Sequence, residues 1–143
     1  MPASHPSSLL TLTTYLLSQT AKIAKRQLDA ELQERGMRLR HMLVLAWLTD
    51  NGSTSQLSLA TNLGLDPSDV TSTIDDLEDL KLVKRSVDPS DRRRKLIAVT
   101  SRGTTEFGRL QDIAATISDD LLAPLSERRR AALHADLRAI LEA

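Results

Sequence analysis

The sequence predicts a mainly α-helical fold with one small β-hairpin, arranged as a winged helix-turn-helix that has additional helices at both ends. Three observations predict it. Apolar residues recur at three- and four-residue intervals over most of the 143 residues. Two short helical segments are joined by a tight turn that contains glycine. Near residue 82 the helical period gives way to two strand-like segments around a charged turn.

A long first helix is predicted from about Ser8 to Arg35, after a lead-in of residues 1–8 that is rich in proline and serine. Its leucines and isoleucine form a stripe at helical spacing, and Gly36 ends it. At 1.5 Å per residue the helix is roughly 40 Å long, more than one small domain needs. This length favours packing against a second copy of the chain.

Three shorter helices are expected next. The first, from Arg40 to Thr49, is apolar on almost every face and should be buried. Residues 53–55 supply hydroxyls that can cap a short helix ending at Gly64. Asp66 followed by Pro67 predicts the start of the next helix, because a side-chain acceptor precedes a residue that lacks the amide proton. The last two helices have the form of a helix-turn-helix, in which the second is the recognition helix.

A β-hairpin and two more helices complete the prediction. Leu82 to Val87 and Leu96 to Val99 are the expected strands, around a turn at residues 88–91. Thr100 or Ser101 can cap a further helix that Pro124 ends, and a last helix follows from Ser126. We therefore expect one domain over residues 1–143, with a DNA-binding lobe at 37–100 and dimerisation helices at 8–35 and 101–143.

Composition excludes several classes of protein. The chain has no cysteine, which excludes disulfides, thiolate metal sites and thiol nucleophiles. The scattered histidines do not have the spacing of a metal site, and no glycine-rich phosphate loop or nucleophile arrangement indicates an enzyme. No apolar run approaches the ~20 residues of a membrane span. We expect a cytoplasmic protein that is not an enzyme and has no cofactor or metal.

Charge is unevenly distributed, although 19 basic and 19 acidic residues cancel. Residues 82–95 hold six basic and two acidic side chains, a net charge of +4, and such a hairpin can reach phosphates or the minor groove. Residues 66–81 hold six acidic and one basic, a net charge of −5, which would repel DNA. Three interpretations stay open: several carboxylates point away from DNA and pair with Lys84 or Arg85, readout relies on the hairpin, or DNA binding has been lost.

The candidate DNA contacts lie on the recognition helix and the hairpin. Hydroxyls beside the apolar stripe can contact base edges or phosphates, and arginines suit the backbone and the minor groove. The candidates are Ser68, Thr71, Ser72 and Thr73 on the helix and Arg92, Arg93 and Arg94 on the hairpin.

The hairpin segment Asp88-Pro89-Ser90-Asp91-Arg92-Arg93-Arg94-Lys95, continuing to Gly103, resembles the wing of MarR/SlyA-type (multiple antibiotic resistance regulator) transcription factors. The order of helices matches as well, so the resemblance covers nearly the whole chain. It implies a homodimer whose Arg93 enters the minor groove while Asp91 holds that guanidinium. The chain departs from the pattern where relatives usually carry arginine, at Ser72 or Asp76, and where they carry glycine, at Lys81.

The resemblance also implies a small anionic or aromatic effector bound between the first, second and fifth helices. By helix membership the candidates are Tyr15, Arg38, His41, Met42, Leu45 and Phe107, although most of these side chains suit a plain core or surface equally well. A histidine such as His41, at the head of a buried helix, is more often structural than a ligand.

The function predicted from the sequence is sequence-specific binding of double-stranded DNA by a homodimeric transcriptional regulator. We expect a repressor on a pseudopalindromic operator, relieved by a small molecule. The alternative is a dimeric winged-helix protein-interaction module that has lost strong DNA binding and uses its acidic helix as the partner surface. Lysine substitutions of Asp75 and Asp76 would separate the two, since they should abolish a protein association but raise nonspecific DNA affinity.

Overall fold

The computed structural model describes residues 4–143; residues 1–3 of the expected lead-in lie outside the described residues. The described part contains six helices and a three-stranded antiparallel sheet, so the predicted fold class is confirmed. The helices are α1 (Thr13–Glu34), α2 (Leu39–Asn51), α3 (Gln56–Leu63), α4 (Pro67–Asp79), α5 (Ser101–Leu121) and α6 (Glu127–Leu141). The strands are β1 (Thr54–Ser55), β2 (Val83–Asp88) and β3 (Asp91–Val99).

The chain divides into two compact units. The winged-helix lobe comprises Asp29–Ile113, which includes α2, α3, α4 and the sheet together with the adjoining parts of α1 and α5. The helical unit comprises the described residues up to Leu28 together with Ala114–Ala143.

The core of the lobe is aliphatic. Each fully buried leucine, isoleucine or valine contributes about 1.5–3 kcal/mol relative to an exposed one. The largest fully buried apolar side chains are Leu32, Val44, Leu45, Leu48, Leu59, Val70, Ile74, Leu77, Val83, Ile97 and Leu110. Every helix and long strand of the lobe supplies at least one of them, so the core fixes the helix-turn-helix against the hairpin.

The two helices of the helix-turn-helix begin at the predicted caps. Ser55 Oγ accepts a hydrogen bond from the amide of Ser58 at 3.1 Å, and Gly64 ends α3 in the left-handed conformation. Asp66 Oδ1 accepts from the amide of Ser68 at 2.8 Å and also from its hydroxyl. The Ser68 hydroxyl and amide together lower the pKa of Asp66 below its ordinary value, so this cap is ionised at neutral pH.

The sheet has the order β1-β3-β2, and the sequence did not indicate β1. β1 is only two residues long, too short for an alternating pattern, and it pairs Thr54 with Ile97. β3 begins at Asp91 instead of the predicted Leu96, because the charged residues before the apolar run also adopt extended backbone. At the hairpin tip Val87 pairs with Lys95 but the next pair is Asp88 with Asp91. Residues 92–94 therefore form a bulge with no partner on β2.

The start of α1 differs from the prediction, and α4 ends with an unusual backbone conformation. α1 begins at Thr13 and not at Ser8, because residues 7–11 form turns in which the Thr11 hydroxyl donates to the carbonyl of Ser8 at 2.8 Å. α4 ends in a left-handed residue that is not glycine: Lys81 has φ +64°. The amide of Leu82 donates to the carbonyl of Leu77 at 2.9 Å, the hydrogen bond that closes a Schellman motif.

Candidate nucleic-acid interface

The exposed face of α4 carries three of the four hydroxyls predicted on it. Ser68, Thr71 and Ser72 are exposed. Thr73 is completely buried: its Oγ1 donates to the carbonyl of Asp69 at 2.6 Å and accepts from Arg40 Nε at 3.0 Å. The expectation that Thr73 faces DNA is therefore wrong, because Arg40 of α2 provides a buried partner for its hydroxyl.

Two carboxylates of α4 are paired with Arg85 of β2. Arg85 Nη2 lies 2.6 Å from Asp75 Oδ1, and its Nη1 lies 3.2 Å from Glu78 Oε1. The Arg85 amide also donates to Glu78 Oε2 at 3.2 Å, and Nη2 donates to the carbonyl of Thr71 at 3.3 Å. These contacts are the pairing of carboxylates with Arg85 that one of the three interpretations of the acidic helix requires. They also join the recognition helix to the first strand of the wing.

A third carboxylate of α4 is held by a buried histidine. His41 is 2% exposed, and its Nδ1 accepts a hydrogen bond from the backbone amide of Arg38 at 2.8 Å. Since Nδ1 accepts, Nε2 carries the proton of the neutral ring and donates to Asp76 Oδ2 at 2.9 Å. His41 thus fixes the start of α2 to the middle of α4, and both of its ring nitrogens are occupied.

The wing presents its arginines on the bulge of β3. The side chain of Arg93 is 92% exposed. Asp91 Oδ1 accepts from the Arg93 amide at 3.0 Å and from Arg93 Nε at 3.3 Å, so the carboxylate lies where it can orient the guanidinium. The turn is closed by Asp88, whose Oδ1 accepts from the Ser90 hydroxyl at 2.7 Å and from the Ser90 amide at 2.8 Å. Those bonds and the charge of Arg94 lower the pKa of Asp88.

The candidate effector residues do not share one environment. Leu45 and Phe107 are buried in the core of the lobe, as is His41. Arg38 is exposed and Met42 is half-buried, so these two remain accessible within the lobe. Tyr15 belongs to the helical unit, where its hydroxyl lies 2.9 Å from Nδ1 of His5.

One polar contact of the helix-turn-helix was missed from the sequence. Gln56, the first residue of α3, donates from Nε2 to the hydroxyl of Thr71 on α4 at 2.6 Å. A glutamine at a helix start has many possible partners, and only the angle of the turn between α3 and α4 selects this one. The residue types alone therefore contain no signal that identifies the pair.

Two negative findings apply to residues 4–143. Within that range no three histidine or acidic side chains are grouped so that they could hold a metal ion. None of the helices in it is both long and apolar enough to cross a bilayer.

Comparison with known proteins finds similarity to one family of regulators. Residues 38–95 match the family model described as the MarR family. A solved MarR-family transcriptional regulator from Rhodococcus sp. RHA1 superposes with a TM-score of 0.74, at 26% identity over 96% of each chain. Residues 38–95 thus match the MarR family, and nearly the whole chain has the fold of a solved member of that family. Members of the MarR family are transcription regulators and not enzymes, and the matched residues include the whole helix-turn-helix and the tip of the wing.

Two curated relatives match over part of their length. A protein assigned as the transcriptional regulator of the hcr operon in Thauera aromatica is 29% identical over 90 residues, which are 63% of this chain and 54% of that protein. The HTH-type transcriptional repressor NicR of Pseudomonas putida is 27% identical over 100 residues, 70% of this chain and 63% of NicR. The chain thus spans between half and two thirds of the length of these two relatives.

Proposed function

We propose that this chain is a homodimeric transcriptional regulator of the MarR family that binds a specific site on double-stranded DNA. The observation that carries the proposal is the combination, in one lobe, of an exposed hydroxyl-bearing face on α4 and an exposed arginine bulge on the wing. In this arrangement Ser68, Thr71 and Ser72 enter the major groove. Arg92, Arg93 and Arg94 hold the flanking backbone and the minor groove.

The pairing of the acidic side chains supports this proposal. Asp75 and Glu78 are engaged by Arg85, and Asp76 is engaged by His41. The Arg85 guanidinium adds one positive charge beside Asp75 and Glu78, which reduces the repulsion of a nearby phosphate by these two carboxylates, whereas the neutral His41 ring holds Asp76 in place without cancelling its charge. The net charge of the segment therefore overstates the negative charge that α4 presents to DNA.

A second copy of the chain is proposed to cover the helical unit. Leucines and isoleucines of α1 and α6, such as Leu16 and Leu137, are exposed there. Residues of α1, α5 and α6 enclose an apolar groove of about 520 Å³ in this unit. An exposed apolar patch of this kind marks an interaction surface. Two-fold symmetry would place two α4 helices about one turn of DNA apart, on a pseudopalindromic operator.

The proposal includes repression and its relief by a small molecule in the cytoplasm. NicR, one of the relatives, is named as a repressor. Of the effector candidates in the lobe, Arg38 and Met42 are accessible to a ligand, and Arg38 suits an anionic one. An effector of this kind should reduce operator affinity when it is titrated into the protein–DNA complex.

The decisive experiment is selection from a random duplex pool, followed by titration of the enriched duplex by fluorescence anisotropy. We expect a pseudopalindrome whose affinity falls steeply with salt. Arg93→Ala should weaken binding by about 1–3 kcal/mol. Arg109→Ala is the matched control, since Arg109 is another exposed arginine of the lobe, 3.4 Å from Glu106. Equal binding by the Arg93 variant and the wild type at matched salt would remove the wing from the mechanism.

The protein-interaction alternative is favoured by the acidic side chains of α4 that no described pair engages. Asp79 is exposed and has no ion pair among residues 4–143, whereas Asp75 and Asp76 are paired. Asp79→Lys is therefore a cleaner test than substitution of the paired residues. It should raise nonspecific DNA affinity if the chain binds DNA, and abolish the association if a basic protein is the partner.

A further inference from the structure

We infer that three exposed side chains in the N-terminal half of α4, those of Ser68, Asp69 and Thr71, can accept hydrogen bonds from DNA but cannot donate them. This face therefore selects bases that present N–H donors in the major groove, the N4 amino group of cytosine and the N6 amino group of adenine. The inference rests on the proposed function and specifies which bases the same face reads.

The proton of the Ser68 hydroxyl is already used. A serine hydroxyl has one proton to donate and two lone pairs to accept with. Ser68 Oγ lies within hydrogen-bond distance of Asp66 Oδ1, the N-cap of α4. An ionised carboxylate only accepts, so Ser68 must be the donor of this bond. The lowered pKa of Asp66 keeps the carboxylate in that form. Ser68 can therefore only accept from DNA.

The proton of the Thr71 hydroxyl is used in the same way. Thr71 Oγ1 lies 3.0 Å from the carbonyl oxygen of Pro67, which cannot donate, so Thr71 donates. Gln56 Nε2, 2.6 Å away, donates to Thr71 and occupies one of its two lone pairs. A single lone pair remains for a base. Asp69, an exposed carboxylate between these two residues in the sequence, adds only acceptors.

An acceptor surface discriminates among the partners that DNA offers. Phosphate oxygens only accept, so these three side chains gain nothing from the backbone, and the phosphate contacts fall to the wing arginines. In the major groove guanine presents two acceptors and thymine one, whereas cytosine and adenine each present an amino donor. Ser72 is not in the set, because its hydroxyl makes no hydrogen bond with the described residues and can rotate to donate or accept.

The test uses the enriched duplex with single base analogues in each half-site. Purine in place of adenine removes the N6 amino group, and pyrimidin-2-one in place of cytosine removes the N4 amino group. We expect at least one such change to weaken binding about tenfold. The control, 7-deazaguanine or 7-deazaadenine at every purine, removes the N7 acceptor and should leave the contacts of Ser68, Asp69 and Thr71 intact.

A protein variant assigns the effect to α4. Thr71→Val removes the remaining lone pair with little change of shape, so it should abolish the difference between natural and donor-less duplex at the base whose amino group Thr71 accepts from, and leave the differences due to Ser68 and Asp69. Thr105→Val is the matched control, because Thr105 on α5 is exposed and makes the same bond to the carbonyl four residues earlier, at 3.1 Å. This variant should keep the full tenfold difference.

Each outcome bears on a different statement. The inference would be overturned if the 7-deaza bases weakened DNA binding while the bases without an amino group did not. It would also be overturned if neither kind of analogue weakened binding. In either case the proposed function would stand, because the natural duplex is bound. Failure of any duplex to be enriched would instead refute the proposed function, and the inference would fall with it.

Discussion

At Gly103 the addition of a single methyl group should strongly lower the stability of the winged-helix lobe. This glycine is buried in the first turn of α5, where the helix approaches the base of the hairpin. A Cβ atom at Gly103 would lie 2.0 Å from the carbonyl oxygen of Leu82 and 2.7 Å from Cγ2 of Val99. The first contact is with backbone that also accepts a hydrogen bond from the amide of Thr100 at 3.0 Å, so it cannot move without cost.

The size of the effect follows from two opposing contributions. Alanine in place of glycine inside a helix stabilises by about 0.5–1 kcal/mol. Overpacking of a dense interior costs about 1–3 kcal/mol, and a clash with backbone lies at the upper end of that range. We therefore expect Gly103→Ala to lower the free energy of unfolding by about 2 kcal/mol, since the clash outweighs the helix preference.

Gly108 provides an internal control in the same helix. A Cβ built at Gly108 meets no atom within 4 Å beyond the adjoining residues and the backbone of its own helix, so Gly108→Ala should only gain the helix preference and stabilise by about 0.5–1 kcal/mol. Urea unfolding followed by circular dichroism, at one fixed protein concentration, measures both variants. Two substitutions of the same kind should thus shift the midpoint in opposite directions. A stabilised Gly103→Ala protein would show that α5 does not approach the hairpin this closely.

Three further predictions concern α4 and its partners. Lys81→Gly should raise the unfolding free energy by about 0.5–1 kcal/mol, since Lys81 has a left-handed backbone; Lys81→Ala, its control in the same urea titration, should not. The Ser68 hydroxyl lowers the pKa of Asp66 in the folded protein below the ordinary 3.8. The ionised carboxylate therefore contributes to the free energy of unfolding above about pH 4, and this contribution is lost as the pH falls through the lowered pKa of the folded state. Asp66→Asn should therefore reduce the difference between urea midpoints at pH 7 and pH 2. Arg85→Ala should weaken DNA binding about tenfold in anisotropy titrations by releasing two carboxylates, and adding Asp75→Asn should restore part of it.

The helix starts could be predicted from the sequence because caps are local. Ser55 and Asp66 each bond to an amide two or three residues later, so the sequence contains both partners within one turn. The stripe of Val70, Ile74 and Leu77 likewise reports the buried face of α4 directly. Features of this kind need no knowledge of any other element.

Features that depend on a distant partner were not predicted. Thr73 was placed on the DNA face because a hydroxyl does not extend an apolar stripe, but Arg40, 33 residues earlier, satisfies it inside the lobe. Strand β1 exists only because Leu96 and Ile97 of β3 offer it an edge. The bulge at residues 92–94 depends on the register across the hairpin, which the turn sequence alone does not fix.

The acidic helix shows how a charge count and a surface charge can differ. The count over residues 66–81 is fixed by the sequence, yet the field at the DNA face also depends on Arg85, which lies outside that segment and adds its positive charge beside Asp75 and Glu78. At the exposed start of α4 the hydroxyls of Ser68 and Thr71 donate their protons within the helix, to Asp66 and to the carbonyl of Pro67. On the wing, the 92% exposed guanidinium of Arg93 has five N–H donors and uses Nε to hold Asp91. On the function proposed here, base discrimination and phosphate binding are therefore divided between the two elements. Wing substitutions should reduce the salt slope of DNA binding, whereas substitutions at Thr71 should change base preference and leave the slope unchanged.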